Sequence, residues 1–468
     1  MRDFAALSVF AFLILFLSLH RGDLSGYDDA LYAHEAKQMV LTGDWWNVRF
    51  NNRLNFEYPP MFMWLEAASM KTWGLNDFAA KFPVALLGFA TIVLTYFLVL
   101  ELTGDAWLAL LAMIVSMSTQ YFIKYSMHAM TDVPCAFFVL LAIFAYLKGL
   151  RRPAYFLLCG IAIGLTILTR SVVGLLPLGV FLLYSPPKSG GVARSAGVVP
   201  YALTGLALAF AIPGVWYASQ NAMHGDAFIS GHLRFTESKL FAGHLTMPQR
   251  ITGLLTYPKL LLRGYWPWVP LLALGFVKQL RRAFSGDRAA LLLMLWAGCI
   301  LLPFSIAEVK VLRYLMPAFP AFATIVATSL NDWIPTHRRP LFLRCAYGFA
   351  IAGTIYVLFF PFLLPRAGDM KQLAPIAAAN SPADQNLLLY TWGRTEFSYN
   401  NQLLWYGNRF TELPTILEGV KGGLEGGDHS VVIMDRESYR GFPERLGPGL
   451  KVAVLGESEH FICFKVTR

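Results

Sequence analysis

Long apolar stretches recur along the first three quarters of this chain, separated by shorter polar segments. A helix needs about 20 apolar residues to cross a roughly 30 Å hydrocarbon layer. Eleven stretches approach that length: 4–19, 79–102, 106–123, 133–150, 154–169, 172–184, 198–219, 260–277, 289–306, 314–331 and 341–364. The first, fifth and sixth are short. The first also has the length of a signal sequence, but His20-Arg21-Gly22-Asp23 follows it with no small-x-small cleavage pattern, so a retained helix is expected. Past residue 364 the pattern changes. Asn, Asp, Glu and Gly spread through 365–468, with β-like runs at Leu387–Thr391, Ser430–Met434, Lys451–Leu455 and Phe461–Val466 and an amphipathic stretch at Phe397–Tyr406. The expected fold class is mainly α: a polytopic transmembrane region over 1–364, then a small extracytoplasmic α/β domain over 365–468.

Composition agrees with this pattern. Of 468 residues, 56% are hydrophobic and 15% charged, against about 25% charged in ordinary soluble domains. Lysine and arginine bias in short loops sets orientation. With Arg2 inside, the inside loops hold Arg151, Arg152, Lys188, Arg194, Lys278, Arg281, Arg282, Arg288, Arg338, Arg339 and Arg344, whereas the opposite short loops hold Lys124, Arg170, Lys310 and Arg313. The net charge of +10 therefore belongs largely to a cytoplasmic rim and is no sign of nucleic-acid binding. This predicts a cell (inner) membrane protein with its N-terminus cytoplasmic and residues 365–468 periplasmic or extracellular. Four of the five cysteines sit in apolar spans, and neither a disulfide framework nor metal-type cysteine spacing is present.

Ionisable groups are costly near a bilayer, so their placement carries the chemical information. They gather on the outer side. The first outer segment, 20–78, holds Asp28, Asp29, His34, Glu35, Lys37, Asp44 and Glu57, the last just before Tyr58-Pro59-Pro60. Residues 29–41 and 60–73 are expected to form two amphipathic helices on the outer surface, with Trp45, Trp46, Trp64 and Trp73 at interfacial depth. A second outer loop ends at Asp132. The long loop 220–259 carries His224, Asp226, His232, Arg234, Glu237, Lys239 and His244, and a fourth segment carries Glu308, Lys310, Arg313 and Tyr314. Each group also has an ordinary explanation. Asp28, Asp29 and Asp132 could cap helices, Glu57 could be a solvated loop acid, and His232 could be a packed side chain. Lys310 and Arg313 could snorkel to the interface or meet lipid headgroups.

At this point the chain resembles a known family. The segment Asp28-Asp29-Ala30-Leu31-Tyr32-Ala33, with Thr42-Gly43-Asp44-Trp45 and a Pro-Pro before an aromatic helix, is similar to the first periplasmic loop of GT-C-fold, polyprenyl-phosphate-sugar-dependent glycosyltransferases. These are the lipid A aminoarabinose transferases and the protein O-mannosyltransferase superfamily. The likeness runs through Asp132-Val133-Pro134, Leu168-Thr169-Arg170-Ser171, His232-Leu233-Arg234-Phe235 and Lys310 to Pro317, with a weaker echo at Trp405 to Arg409. The resemblance implies an inverting transfer of a sugar from a polyprenyl-phosphate donor to a lipid-linked glycan, envelope polysaccharide or protein on the outer face. It implies Asp28 as base or acceptor-orienting acid with Asp29 beside it and Asp132 as a further catalytic acid. It assigns Tyr58, Arg170, Arg234, Lys310, Arg313 and Tyr314 to substrate binding, the cations to the phosphate. It also admits a divalent metal ion between Glu57 and His232, although two ligands do not specify a metal.

One departure matters. The aminoarabinose transferases carry a lysine immediately before the proline, where this chain has Tyr58. A tyrosine does not supply that charge, so another cation must, or the sugar or acceptor differs. A transporter or flippase of lipid-linked sugars is the alternative. It predicts charges in the middle of spans and an internal repeat, and the sequence shows neither. A non-catalytic envelope scaffold is a third reading, in which residues 365–468 would be the working part.

Overall fold

The computed structural model describes residues 1–17, 19–184, 197–240, 253, 255–359, 368–391 and 396–467. Lys188, Arg194, His244 and the end of the last expected span lie outside these residues. The chain divides into two compact units. One comprises Met1–Leu19, Asn55–Leu65 and Lys81–Phe359; the other comprises His20–Leu54, Glu66–Ala80 and Phe360–Arg468.

The first unit is helical. Among the described residues, six apolar helical runs are long enough to cross a membrane: Asp77–Thr103, Asp132–Gly149, Tyr155–Leu183, Val198–His224, Arg288–Ile306 and Thr336–Phe359. Other expected spans fall on shorter helices, including Arg2–Phe16, Ala106–Ser118, Val269–Phe284 and Phe319–Trp333. The stretches 154–169 and 172–184 form one apolar run broken at Ser171, where the helix Tyr155–Arg170 ends and a 3-10 turn, Ser171–Leu175, begins. Small residues set the closest helix crossing. A Cβ on Gly160 would lie 1.8 Å from the carbonyl oxygen of Gly205, and one on Gly205 would lie 2.2 Å from that of Phe156. Without a hydrophobic force between helices in lipid, such backbone-to-backbone packing is what holds them. Polar ties add to it: Glu101 accepts from Lys148 and, at 2.8 Å, from Arg151, and the Trp296 indole donates to Pro317 O at 2.9 Å.

The second unit is built on a five-stranded sheet. Strands β1 (Arg49–Phe50) and β2 (Arg53–Leu54) make a separate small ribbon. The sheet itself contains β3 (Leu387–Tyr390), β4 (Thr411–Glu412), β5 (Val431–Asp435), β6 (Lys451–Glu457) and β7 (Phe461–Thr467), in the order β4-β3-β5-β7-β6. Strands β4, β3 and β5 are parallel, and β7 and β6 join antiparallel. Alternation along the strands splits the core in two. Leu387, Leu389, Ile433 and Cys463 pack with Met370 and Leu373 of the helix Asp369–Asn380. Leu388, Tyr390, Val432 and Phe464 pack on the opposite side with Val420 and Leu424.

This unit takes in more than residues 365–468, because part of the first outer segment packs inside it. The helix Asp28–Thr42 was expected to lie on a surface, yet every residue from Asp29 to Met39 is buried. The reason is the helix Glu396–Gly407. Lys37 Nζ donates to Leu404 O and Trp405 O at 2.8 Å and to Asn408 Oδ1 at 3.0 Å, satisfying carbonyls at that helix's C-terminal end. Asn401 Nδ2 holds Gly26 O and Tyr27 O at 3.1 and 2.9 Å, and Asn51 exchanges two 3.0 Å bonds with the backbone of Thr411.

Candidate active site

The chemistry-bearing residues of the first unit meet where four elements end. The helix Asp132–Gly149 begins at Asp132, the helix Tyr155–Arg170 finishes at Arg170, the 3-10 segment Leu312–Ala318 carries Arg313 and Tyr314, and the helix Asp226–Leu240 carries His232 and Phe235. Asp132 does not cap its own helix, since Thr131 is the N-cap and makes no side-chain capping bond. Instead its carboxylate pairs with the guanidinium of Arg170 and lies 3.6 Å from Arg313 Nε. Asp132 is 2% exposed and Arg170 11%. Both guanidinium groups approach the ring of Tyr314, at 4.9 Å for Arg170 and 6.0 Å for Arg313. One acid thus braces two cations against an aromatic face, which fixes a guanidinium more firmly than an ion pair alone.

Arg170 lines a small cleft, about 70 Å³, that it shares with Glu57, Tyr58, Phe235 and Tyr314. Tyr58 stands edge-on to Phe235 with ring centroids 4.8 Å apart. The cleft therefore presents one planar cation, one carboxyl and two phenols among apolar walls. A buried guanidinium fork with donors left after its carboxylate contact suits a phosphate.

His232 is packed on all sides. Its Nδ1 lies 2.8 Å from Phe56 O, and its Nε2 lies 3.1 Å from Ser171 Oγ and 3.2 Å from the Tyr217 hydroxyl. Burial lowers its pKa, with the Phe56 carbonyl opposing the shift. Both ring nitrogens have protein partners, which leaves neither for an ion. Among the described residues no group of three or more His, Cys, Asp or Glu side chains is arranged to hold a metal. The Glu57 and His232 pair therefore does not fit a metal ion as it stands.

The remaining expected residues are placed as follows. Arg234 is exposed and does not line the cleft. Lys310 turns its Nζ onto Ala307 O at 2.6 Å, beside the cleft residues Ala307 and Val309. Asp28 and Asp29 belong to the second unit, in the first turn of the helix Asp28–Thr42. The N-cap of that helix is Tyr27, which makes no side-chain capping bond, and Asp29 Oδ2 accepts from the Ser25 N–H at 3.3 Å. Sequence reasoning missed Ser171 and Tyr217 as partners of His232. Ser171 has φ +47°, a conformation that non-glycine residues adopt at a cost of order 1–3 kcal/mol. No sequence signal marks Tyr217, which lies inside an apolar helix.

Comparison with known proteins follows the same lines. The family model described as dolichyl-phosphate-mannose-protein mannosyltransferase matches residues 6–229. A protein of Aquifex aeolicus is 28% identical over 343 residues, covering 71% of this chain and 64% of its own length. The undecaprenyl phosphate-alpha-4-amino-4-deoxy-L-arabinose arabinosyl transferase 2 of Sodalis glossinidius is 28% identical over 318 residues, covering 64% of this chain and 54% of its own. The chain thus matches little more than half the length of such relatives. The crystal structure of ArnT from Cupriavidus metallidurans bound to undecaprenyl phosphate superposes with a TM-score of 0.78 at 18% identity, covering 98% of this chain and 97% of that one. In sequence the chain is similar to the dolichyl-phosphate-mannose-protein mannosyltransferase model and to arabinosyl transferases, and in fold it is similar to ArnT.

Proposed function

We propose that this chain transfers a sugar from a polyprenyl-phosphate-linked donor to a lipid-linked glycan, envelope polysaccharide or protein acceptor at the outer face of the membrane. The N-terminus is then cytoplasmic, and residues 365–468 are outside. The observation that carries this reading is Arg170, held by Asp132 and Tyr314 and lining a cleft with Glu57 and Tyr58.

In the proposed reaction an acceptor oxygen attacks the anomeric carbon from the face opposite the phosphate. The new C–O bond forms as the bond to the phosphate oxygen breaks, the configuration inverts, and polyprenyl phosphate leaves. The acceptor proton goes to a carboxylate, which the family resemblance assigns to Asp28, with Asp29 beside it. Negative charge grows on the departing phosphate oxygen, and a fixed cation there stabilises the transition state more than the ground state. Arg170 takes that role, with Arg313 and Lys310 adding positive charge and the exposed Arg234 a further cation for the substrate. Asp132 acts through the arginines as a positioning residue. Tyr58 and Arg170 line the same cleft, so the guanidinium supplies the charge that Tyr58, in place of the family lysine, does not.

The test is purified protein in vesicles with defined polyprenyl-phosphate sugars, read as release of polyprenyl phosphate. Asp28→Asn is expected to abolish turnover while the melting profile persists, and Arg170→Ala to abolish it at a lowered melting temperature, because the buried Asp132 loses its partner. Full activity in Asp28→Asn would remove the base assignment, and full activity in Arg170→Ala would remove the phosphate site.

A further inference from the structure

The second unit contains a larger cavity, about 600 Å³, that the proposed transfer chemistry does not use. Trp73, Phe78 and Tyr406 supply aromatic walls, and Asn76, Asp77 and Lys371 supply polar groups between them. Trp73 is 52% exposed and meets Phe78 edge-on, with ring centroids 6.0 Å apart and planes at 89°, so Phe78 does not stack on the indole face.

The polar groups are already locked. Asp77 Oδ1 accepts from the Trp405 indole at 2.8 Å, while Oδ2 accepts from Lys371 at 2.7 Å and from the Tyr406 hydroxyl at 3.2 Å. Lys371 also lies 2.9 Å from Asp23, and the other lysine of the cavity, Lys37, is committed to two carbonyls and Asn408. An anion receptor would leave a cation to be matched by its ligand. Here each lysine charge already has oxygen partners, and what remains is hydrogen-bonding capacity held rigidly beside aromatic rings. That combination suits a neutral molecule with many hydroxyls and apolar C–H faces.

We infer that the cavity bounded by Trp73, Asp77 and Lys371 binds a neutral saccharide, which stacks on Trp73 and donates a hydroxyl to the acceptor site that the three protein donors leave on the Asp77 carboxylate. Resting on the transfer reading above, that saccharide is the glycan portion of the acceptor. Acceptor choice would then depend on residues absent from the cleft of the first unit.

The experiment uses the full chain in a detergent without a sugar headgroup and with no donor present. Trisaccharides of glucose, mannose and N-acetylglucosamine are titrated by calorimetry and saturation-transfer NMR. At least one is expected to bind saturably, about tenfold more weakly in Trp73→Ala, with binding restored in Trp73→Phe. No saturable binding by any trisaccharide, or equal binding by a Trp73→Ala protein with the parent melting profile, would overturn the proposal. So would Trp73-dependent binding of glycerol phosphate in place of sugars, which would make the cavity a lipid-headgroup site. Because no donor enters the assay, a failure of glycosyl transfer leaves its outcome intact.

Discussion

Asp132 and Arg170 pair across the first turn of one helix and the last turn of the next, with the acid 2% and the arginine 11% exposed. Two ions so far out of water hold each other, and removing one strands the other. Asp132→Ala should therefore cost about 3–5 kcal/mol of stability, read as a lower melting temperature in nanodiscs. The double variant Asp132→Ala with Arg170→Ala should melt above Asp132→Ala alone. If the two losses simply add, the pair is not coupled and the cleft is not braced in this way.

The crossing at Gly160 and Gly205 leaves no room for a methyl group, since the facing atoms are backbone carbonyls. Gly160→Ala should force the helices apart and destabilise by about 1–3 kcal/mol. Gly298, inside the helix Arg288–Ile306, has nothing within 4 Å of a built Cβ. There the same substitution should be neutral or stabilise by about 0.5–1 kcal/mol. Comparing the two melting temperatures separates a crowded crossing from a general intolerance of alanine.

Glu66 is completely buried, and burial, followed by the nearby Glu35 and Asp29, raises its pKa well above the usual range. An acid whose folded pKa is raised keeps its proton while the unfolded chain has lost one, so stability falls as pH rises above the ordinary carboxylate pKa near 4.5. Glu66→Gln should remove that loss, with a gain in melting temperature that grows from pH 5 upward. Lys37 contributes in the opposite sense: burial lowers its pKa to about 7, so its contribution improves as pH rises from 7 toward 10.5. A Glu66→Gln gain that does not vary with pH would show that the carboxyl is not held protonated.

With Nδ1–H donating to Phe56 O, His232 Nε2 accepts from Ser171, whose Oγ accepts in turn from the Tyr217 hydroxyl at 3.1 Å, and that hydroxyl, 3.2 Å from Nε2, can replace Ser171 as donor. Ser171→Ala should cost about 1 kcal/mol, and adding Tyr217→Phe should cost more than the two single changes together, because Nε2 then loses its last donor. Chelation with EDTA should leave both melting temperature and turnover unchanged. A loss on chelation that zinc restores would return Glu57 and His232 to service as metal ligands.

Much of this protein could be read from residue order alone. Apolar runs longer than a bilayer crossing have few other uses, so the membrane character and most helix positions follow from local pattern. The β-like runs at Leu387–Thr391 and Phe461–Val466 likewise fall on strands β3 and β7. Arg170, Arg313, Tyr58 and Tyr314 were legible as candidates through the resemblance of their segments to a known family. Tertiary structure decided what each one touches. Asp132 looked like a helix cap, and only the return of the chain at Arg170 and Arg313 turned it into a brace. His232 looked like half a metal site until Phe56, Ser171 and Tyr217, up to 176 residues away, occupied both nitrogens. The helix Asp28–Thr42 read as a surface element, and its burial depends on Lys37 meeting carbonyls more than 360 residues later. Hydropathy reports the solvent that a segment prefers, whereas a side chain's partner is set by which distant backbone closes over it, and no local period records that.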